Sequence, residues 1–320
     1  MPAVLVTDKI QQAGLDILAQ RSDVVVDLCL DRRTEKELVA RVVNADAILV
    51  GTTRITETII DAARVLKVVS RRGVGYDNID LAALRRRRIP LATVGSVNAS
   101  TVAEHTLCFI LALAKQVMAY DRATRAGNWG FRNSLVATDL LGKNLLLVGF
   151  GRVGRAVAVR AKAFGLRVLA YDPVVPEAAF REVEVEPVAD LLQGLAACDF
   201  VSVHVPLVPE TMGLIGRKQF AAMKSTACLI STARGGVVDE DELVNALRAG
   251  LIRGAGLDVF NEEPLPPNHP LIELENVILS PHMAALTKEC ARRMDEVAAK
   301  NCLDAIDGNL DPTLVVPNER

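Results

Sequence analysis

The sequence lacks an excess of charge of either sign. Its 320 residues include 37 Lys and Arg against 39 Asp and Glu, which gives a formal net charge of −2. Because proteins that bind nucleic acid usually gather a basic excess on one face, this balance argues against a nucleic-acid partner. One basic run, residues 85–88, is typical of a solvated helix end, and an anion contact is the alternative interpretation.

Long apolar runs and metal-binding patterns are also missing. The longest clean apolar run, residues 107–114, is too short to cross a membrane, and the first residues lack the pattern of a signal peptide. None of the six cysteines forms a C-x-x-C pair or has metal-ligand spacing to a histidine. We therefore expect a cytoplasmic protein with no metal and no membrane contact.

Short apolar runs alternate with helical patterns along the chain. Strands are predicted at residues 4–6, 24–28, 47–50 and 67–70, and then at 145–148, 167–171, 200–203, 228–231, 256–259 and 277–279. Such alternation favours βαβ units around parallel sheets. The sequence thus predicts two α/β units, the second one longer, with long helices at 101–120 and 286–306.

A glycine-rich motif, G-x-G-x-x-G, occupies residues 149–154, directly after the predicted strand 145–148. Gly149 would permit a tight turn, Gly151 would let a pyrophosphate approach the backbone, and Gly154 would let helix and strand pack closely. The helix that follows offers N–H groups and a positive dipole end to the phosphates. The alternative is a glycine-rich turn without a ligand.

An acid in the expected place strengthens the cofactor interpretation. Asp172 ends the next predicted strand, 18 residues after Gly154. A carboxylate there would accept hydrogen bonds from the adenosine ribose and repel a 2′-phosphate, so the sequence predicts NAD rather than NADP.

Three polar residues follow the ends of later predicted strands: Arg234, Glu263 and His282. Since ligands bind outside the carboxyl ends of strands in open α/β sheets, these side chains are expected to face one crevice. A histidine can take the proton of an alcohol, a carboxylate can orient its ring, and an arginine can grip a substrate carboxylate. For His105 and His204 a structural role is the expectation, and His269 is expected in a loop.

The chain resembles the D-isomer-specific 2-hydroxyacid dehydrogenases in five motifs. They lie at residues 73–80, 149–154, 233–240, 257–264 and 280–282, and they follow the order of the family. The resemblance implies a Rossmann cofactor domain, residues 99–287, inserted in a flavodoxin-like substrate domain, residues 1–98 plus 288–320. Both would be doubly wound parallel-sheet domains. It also implies a homodimer whose interface involves the region 101–142.

The resemblance implies a role for each residue of the catalytic set. Arg234 would bind the substrate carboxylate, helped by the N–H groups of Val74 and Gly75. His282 would be the acid/base and would also contact the substrate, paired with Glu263.

The resemblance implies further cofactor contacts. Asp258 would meet the nicotinamide carboxamide. The pyrophosphate would lie at Arg152 and Val153, and other cofactor contacts would come from Val205, Thr232 and Ala233.

Two departures from the family pattern bear on the substrate. The third predicted strand lacks the arginine with which phosphoglycerate dehydrogenases face the substrate phosphate, although Arg54 or Arg71 is a possible substitute. Glu263, rather than a glutamine, counts against formate. We therefore expect a small 2-oxo or 2-hydroxy acid without a phosphate. The alternatives are a phosphorylated or sulfonated hydroxy acid, or an NAD(H)-sensing binding protein of the corepressor kind.

Overall fold

The computed structural model describes residues 1–30 and 34–317, and its contacts divide the chain into two units. The first contains the described parts of Met1–Asn98 and Leu286–Arg320, and the second contains Ala99–Ala285. Each unit is described by itself below.

The first unit is built on a five-stranded parallel sheet in the order β2-β1-β3-β4-β5. Its strands are β1 (Ala3–Val6), β2 (Val25–Leu28), β3 (Ala47–Val50), β4 (Val68–Arg71) and β5 (Leu91–Ala92). The helices between them are α1 (Gln12–Ala19), α2 (Glu35–Val42), α3 (Glu57–Ala62) and α4 (Leu81–Arg87). All four residues of β3 are buried, as expected of a central strand covered on both faces.

The second unit is built on a seven-stranded parallel sheet. Its strands are β6 (Asn144–Val148), β7 (Arg167–Tyr171), β8 (Glu186–Pro187), β9 (Phe200–Val203), β10 (Cys228–Ser231), β11 (Gly254–Leu257) and β12 (Val277–Leu279). They lie in the order β12-β11-β10-β9-β6-β7-β8, so the chain reverses direction across the sheet between β6 and β9. Leu146 and Val148 pack into one apolar core and Leu145 and Leu147 into another, because successive side chains of a strand point to opposite faces. The sequence prediction of two parallel α/β units is confirmed.

Helices cover both faces of this second sheet. They are α5 (Ala99–Lys115), α6 (Val117–Arg125), α7 (Arg152–Ala163), α8 (Glu177–Glu182), α9 (Leu191–Ala197), α10 (Arg217–Ala222) and α11 (Glu240–Arg248).

The single helix predicted at 101–120 was wrong, because the chain breaks at Gln116. That residue has a left-handed conformation with φ 52°, and its side-chain amide donates to the carbonyl of Leu113 at 2.8 Å. The bond satisfies one of the carbonyls left over at the end of α5. The helices on either side, α5 and α6, meet at 58°.

The last helix, α12 (Lys288–Ile306), belongs to the first unit. Thr287 caps it by accepting a hydrogen bond from the N–H of Cys290 at 3.1 Å. On its buried face, Asp295 pairs with Arg72 and accepts from the N–H of Gln11, and these bonds join α12 to the sheet and to the start of α1.

None of the helices in the described ranges is, by itself, long and apolar enough to span a membrane. The bent pair of α5 and α6 has sufficient length and apolar composition when its members are taken together.

Candidate active site

The glycine-rich turn lies at the carboxyl end of β6, where the strand order reverses. Gly149 has φ 99°, a conformation that favours glycine, and its N–H donates to the carbonyl of Tyr171 at 2.9 Å. Gly151 precedes the first residue of α7 and makes no side-chain cap bond. The first N–H groups of α7 have no acceptor within the helix, so they can bind an anion.

The glycines of this turn fit a dinucleotide phosphate. A Cβ on Gly154 would lie 2.3 Å from the carbonyl oxygen of Gly149, so the turn and α7 leave no room for a side chain there. A Cβ on Gly151 would meet no atom within 4 Å, so the backbone at that residue faces open space. Val205 packs against Gly149, which brings another predicted cofactor residue to the same turn.

Asp172 follows β7, the strand beside β6, as predicted. Its Oδ2 accepts from the N–H of Phe150 at 2.8 Å, and its Oδ1 accepts from the N–H groups of Val174 and Val175 at 3.0 and 3.2 Å. The carboxylate therefore fastens the glycine-rich turn to the end of β7, a role that sequence reasoning missed. Its contact with a ribose stays a prediction.

The three predicted catalytic residues follow three neighbouring strands. Arg234 comes after β10, Glu263 after β11 and His282 after β12, and these strands are adjacent in the sheet. The carboxyl ends of parallel strands share one edge of a sheet, so the order of the strands places the three residues on the same edge.

His282 and Glu263 form a direct pair. The imidazole Nδ1 lies 2.7 Å from Oε2 of Glu263, and the two side chains are 46% and 36% exposed. Oε1 of Glu263 accepts from the N–H of Phe260 at 3.1 Å, which ties the carboxylate to the end of β11. Since Nδ1 is engaged by the carboxylate, Nε2 is the ring nitrogen available for proton transfer.

The segment that carries His282 wraps around the carboxylate of Asp258, which is 1% exposed. Oδ1 accepts from the N–H of Met283 at 2.8 Å and from the Ser280 hydroxyl, and Oδ2 accepts from the N–H of Ala284 at 2.9 Å. The Asp258 carbonyl accepts from the N–H of His282, which has φ 49°. The contact of Asp258 with a nicotinamide carboxamide stays a prediction. The structure shows that Asp258 instead accepts hydrogen bonds from the segment that carries His282.

Arg234 starts a loop that lies against the Glu263 segment. A Cβ on Gly235 would come within 1.9 Å of the Phe260 carbonyl oxygen, so only glycine allows the two backbones to pack this closely. The guanidinium Nη1 donates to the carbonyl of Ala233 at 2.7 Å. Thr232, just before, lies 3.2 Å from the Thr106 hydroxyl of α5.

A cavity of about 600 Å³ opens beside the His282–Glu263 pair. Its other lining residues are mostly apolar: Phe260, Pro264, Leu265, Leu279, Ser280 and Pro281. An apolar hollow with a few polar groups is the usual form of a small-molecule site. Val74 and Gly75 lie in the first unit, after β4, and their contact with a substrate stays a prediction.

Two other histidines, His204 and His269, have structural contacts. Ser202 lies 2.8 Å from Nε2 of His204, and burial lowers the pKa of this imidazole to about 3. His269 precedes a short 3₁₀ helix and lies 3.3 Å from Glu240. Burial raises the pKa of Glu240, although its carboxylate also accepts from the N–H of Asn261 near the start of the Glu263 loop. No sequence motif indicates these contacts of Glu240 with His269 and Asn261.

Comparison with known proteins agrees with this geometry. The family model for the NAD binding domain of the D-isomer specific 2-hydroxyacid dehydrogenases matches residues 107–284. A glyoxylate reductase from Korarchaeum cryptofilum is 40% identical, over 98% of this chain and 96% of that protein. A D-3-phosphoglycerate dehydrogenase from Methanocaldococcus jannaschii is 38% identical, and the match covers 99% of this chain but 60% of the longer relative.

The fold is also similar to that of solved structures. The crystal structure of the TT0316 protein from Thermus thermophilus superposes with a TM-score of 0.89 at 38% sequence identity, over 98% of this chain and 100% of that one. The chain therefore belongs to the D-isomer specific 2-hydroxyacid dehydrogenase family, and it is an oxidoreductase that uses NAD.

Proposed function

We propose that this enzyme reduces a small 2-oxo acid to the D-2-hydroxy acid, with His282 as the acid/base. The observation that carries the proposal is the 2.7 Å contact between Nδ1 of His282 and Oε2 of Glu263. A carboxylate on one ring nitrogen orients the imidazole, so that Nε2 is the nitrogen that exchanges a proton with the substrate.

The residues divide the work as follows. Arg234 binds the substrate carboxylate, for which a planar guanidinium is well suited. His282 gives the proton of Nε2 to the oxygen of the carbonyl as that oxygen gains charge. Glu263 holds the ring in place throughout. Bound NADH supplies the hydride.

The cofactor is held by the turn between β6 and α7. Gly151 faces open space and leaves room for the phosphates, whereas Gly149 and Gly154 let the turn pack closely against the chain around it. Arg152 and Val153 present the first N–H groups of α7. Val205, Thr232, Ala233 and Asp258 lie at or just after the carboxyl ends of β9, β10 and β11, and we assign them to the nicotinamide half. We assign Asp172 to the ribose, and thus a preference for NADH over NADPH.

The end of β3 supports a substrate without a phosphate. The N–H groups of Gly51, Thr52 and Thr53 donate to the carboxylate of Asp8 at 2.7, 3.1 and 3.3 Å. Burial opposes ionisation, yet these and other hydrogen bonds lower the pKa of Asp8 below its usual value. Because these N–H groups already donate to an internal carboxylate, they do not bind a substrate phosphate. We therefore expect glyoxylate and hydroxypyruvate to be better substrates than phosphohydroxypyruvate.

The test is a panel of 2-oxo acids with NADH and, separately, with NADPH. It contains glyoxylate, hydroxypyruvate, pyruvate, phenylpyruvate, phosphohydroxypyruvate and sulfopyruvate, and the loss of reduced-nicotinamide absorbance is followed. Fast turnover of a small acid with NADH supports the proposal. Turnover of phosphohydroxypyruvate or sulfopyruvate alone contradicts the substrate class, and silence across the panel contradicts the reaction.

We also propose a homodimer. Large apolar side chains between α6 and β6 are exposed in the single chain: Trp129 is 70%, Leu135 83% and Leu141 79% exposed. Burial of such side chains against a second copy is favourable. Sedimentation equilibrium should give twice the mass of the chain, and Leu135→Glu should lower it to one chain. A monomeric wild type contradicts the proposal.

A further inference from the structure

His105 lies on α5, in the second unit, and contacts the segment that carries His282. Its Nε2 is 3.0 Å from the Ser280 hydroxyl and 3.7 Å from Oδ1 of Asp258. The imidazole is 18% exposed, so the contact is largely shielded from water. Sequence reasoning had expected only a structural role for His105.

The direction of these bonds follows from counting protons. The Ser280 hydroxyl has one hydrogen, and it donates that hydrogen to the carboxylate of Asp258, which in its ionised form only accepts. The hydroxyl oxygen is then left as the acceptor for His105. Nε2 of His105 must therefore carry a hydrogen, and the chain of donors runs from His105 through Ser280 to Asp258.

Asp258 connects these bonds to the segment that carries His282. Its two carboxylate oxygens accept from the N–H groups of Met283 and Ala284, and its carbonyl accepts from the N–H of His282 at 2.8 Å. His282 itself has φ 49°, a left-handed conformation that a residue with a side chain adopts only when its surroundings hold it there. The bonds to the carbonyl and carboxylate of Asp258 are among those that hold His282 in this conformation.

Packing between α5 and β11 fixes the position of His105. Its ring meets the ring of Phe109 edge to face, with centroids 4.6 Å apart. Phe109 in turn lies against Gly256 of β11, where a Cβ would come within 2.7 Å of the ring. The close approach of α5 to β11 therefore depends on a glycine, and it brings Nε2 of His105 to Ser280.

We propose that His105 is a positioning residue for proton transfer: its Nε2–H fixes the Ser280 hydroxyl on Asp258, and Asp258 fixes the turn that aims His282. The proposal rests on the proposed function in assigning the acid/base role to His282. It adds a residue that touches neither substrate nor cofactor and that acts through two hydrogen bonds. A misplaced acid/base slows proton transfer more than it weakens binding.

Three variants test the proposal. His105→Phe keeps the ring against Phe109 but loses the donor, whereas His105→Gln keeps an N–H near the position of Nε2. Cys108→Ala, on the exposed side of α5, is the matched control. We expect His105→Phe to lower kcat by about tenfold or more while KM for the acid and Kd for NADH stay within about twofold. His105→Gln should restore at least roughly a third of kcat.

Ser280→Ala removes the middle of the chain of donors and tests the coupling. It should resemble His105→Phe, and the double variant should be no slower than either single variant, because both changes break the same connection. Additive losses would overturn the proposal, as would a His105→Phe enzyme with kcat near that of the wild type. Equal losses in His105→Gln and His105→Phe would also overturn it, because shape, and not the donor, would then be what the site needs.

Hydrogen–deuterium exchange separates this proposal from the proposed function. The N–H groups of residues 282–284 should exchange roughly tenfold faster in His105→Phe than in the wild type, and near the wild-type rate in His105→Gln. This readout needs no substrate. If the wild type reduces no 2-oxo acid yet the exchange follows this pattern, the reaction is wrong and the positioning role stands. Unchanged exchange in a folded His105→Phe protein overturns the positioning role alone.

Discussion

Nδ1 of His282 lies 2.7 Å from Oε2 of Glu263, and Oε1 of the same carboxylate accepts from the N–H of Phe260. The carboxylate thus links the imidazole to the end of β11. This link fixes which ring nitrogen faces the carboxylate, and the proposed mechanism assigns the other, Nε2, to the substrate. In the proposed mechanism, the same geometry would let Nε2 accept the proton of the alcohol in the oxidative direction.

Glu263→Gln should slow the reaction without greatly changing cofactor binding. An amide can still hold the ring, but its hydrogen bond to the imidazole is weaker than that of a charged carboxylate. We expect kcat to fall roughly 10- to 100-fold, with Kd for NADH within about twofold of the wild type. Steady-state rates and a fluorescence titration of NADH measure the two quantities. A kcat equal to that of the wild type would remove the carboxylate from the mechanism.

Arg234→Lys should weaken use of the substrate, because an ammonium cannot form the two parallel bonds of a guanidinium. The expected fall in kcat/KM for the 2-oxo acid is about 10- to 100-fold. Arg217→Lys is the matched control, since Arg217 forms an exposed ion pair with Glu242 and has no assigned role in the site. Equal kcat/KM values for the two variants would contradict the role of Arg234.

Gly151→Ala should impair cofactor binding while the protein still folds. An added Cβ meets no atom within 4 Å, and the φ of −75° suits alanine, so the methyl group would occupy only the open space that we assign to the phosphates. Kd for NADH should rise about tenfold or more. The free energy of unfolding should change by only about 1 kcal/mol, and Tm by only a few degrees. Gly130→Ala, in ordinary contact with Asn128, is the control. Undiminished NADH binding would exclude phosphate binding at this turn.

His204 should make stability depend on pH. Burial lowers the pKa of its imidazole from 6.5 to about 3, so below pH 6.5 the unfolded chain takes up a proton that the folded chain refuses. This contribution is fully present above pH 6.5 and is lost as the pH falls toward 3. Between pH 7 and 5.5 the wild type should lose about 1 kcal/mol more unfolding free energy than His204→Gln. Urea titrations followed by circular dichroism test this, and parallel pH dependences would contradict it.

The sequence predicted the strands well where β-branched and leucine runs are bounded by turn residues, as in β3 and β9. The strand predicted at residues 256–259 begins two residues later than β11 does in the structure. Gly254 and Gly256 interrupt the apolar pattern at the start of this strand. The strands β5 and β8 have two residues each and were missed, since such short elements exist only through pairing with a neighbour. The break at Gln116 was missed for a similar reason, because a left-handed glutamine has no local pattern.

The common location of Arg234, Glu263 and His282 was predictable because each lies in a motif just after a strand, and parallel strands bring such residues to one edge. The contacts that support these three residues could not be predicted from the sequence. His105 and Ser280 are 175 residues apart in the chain, and Glu240 and Asn261 are 21 apart. Only the approach of α5 and α11 to the sheet brings these pairs together, and that approach depends on packing that no single segment encodes.

His282→Ala tests the central claim most directly, with substrate turnover and NADH binding measured on the same preparation. If His282 is the acid/base, kcat should fall roughly 100- to 10,000-fold while Kd for NADH stays within about twofold of the wild type. Turnover near the wild-type rate in a variant that still binds NADH would contradict the mechanism, because another group would then have to move the proton.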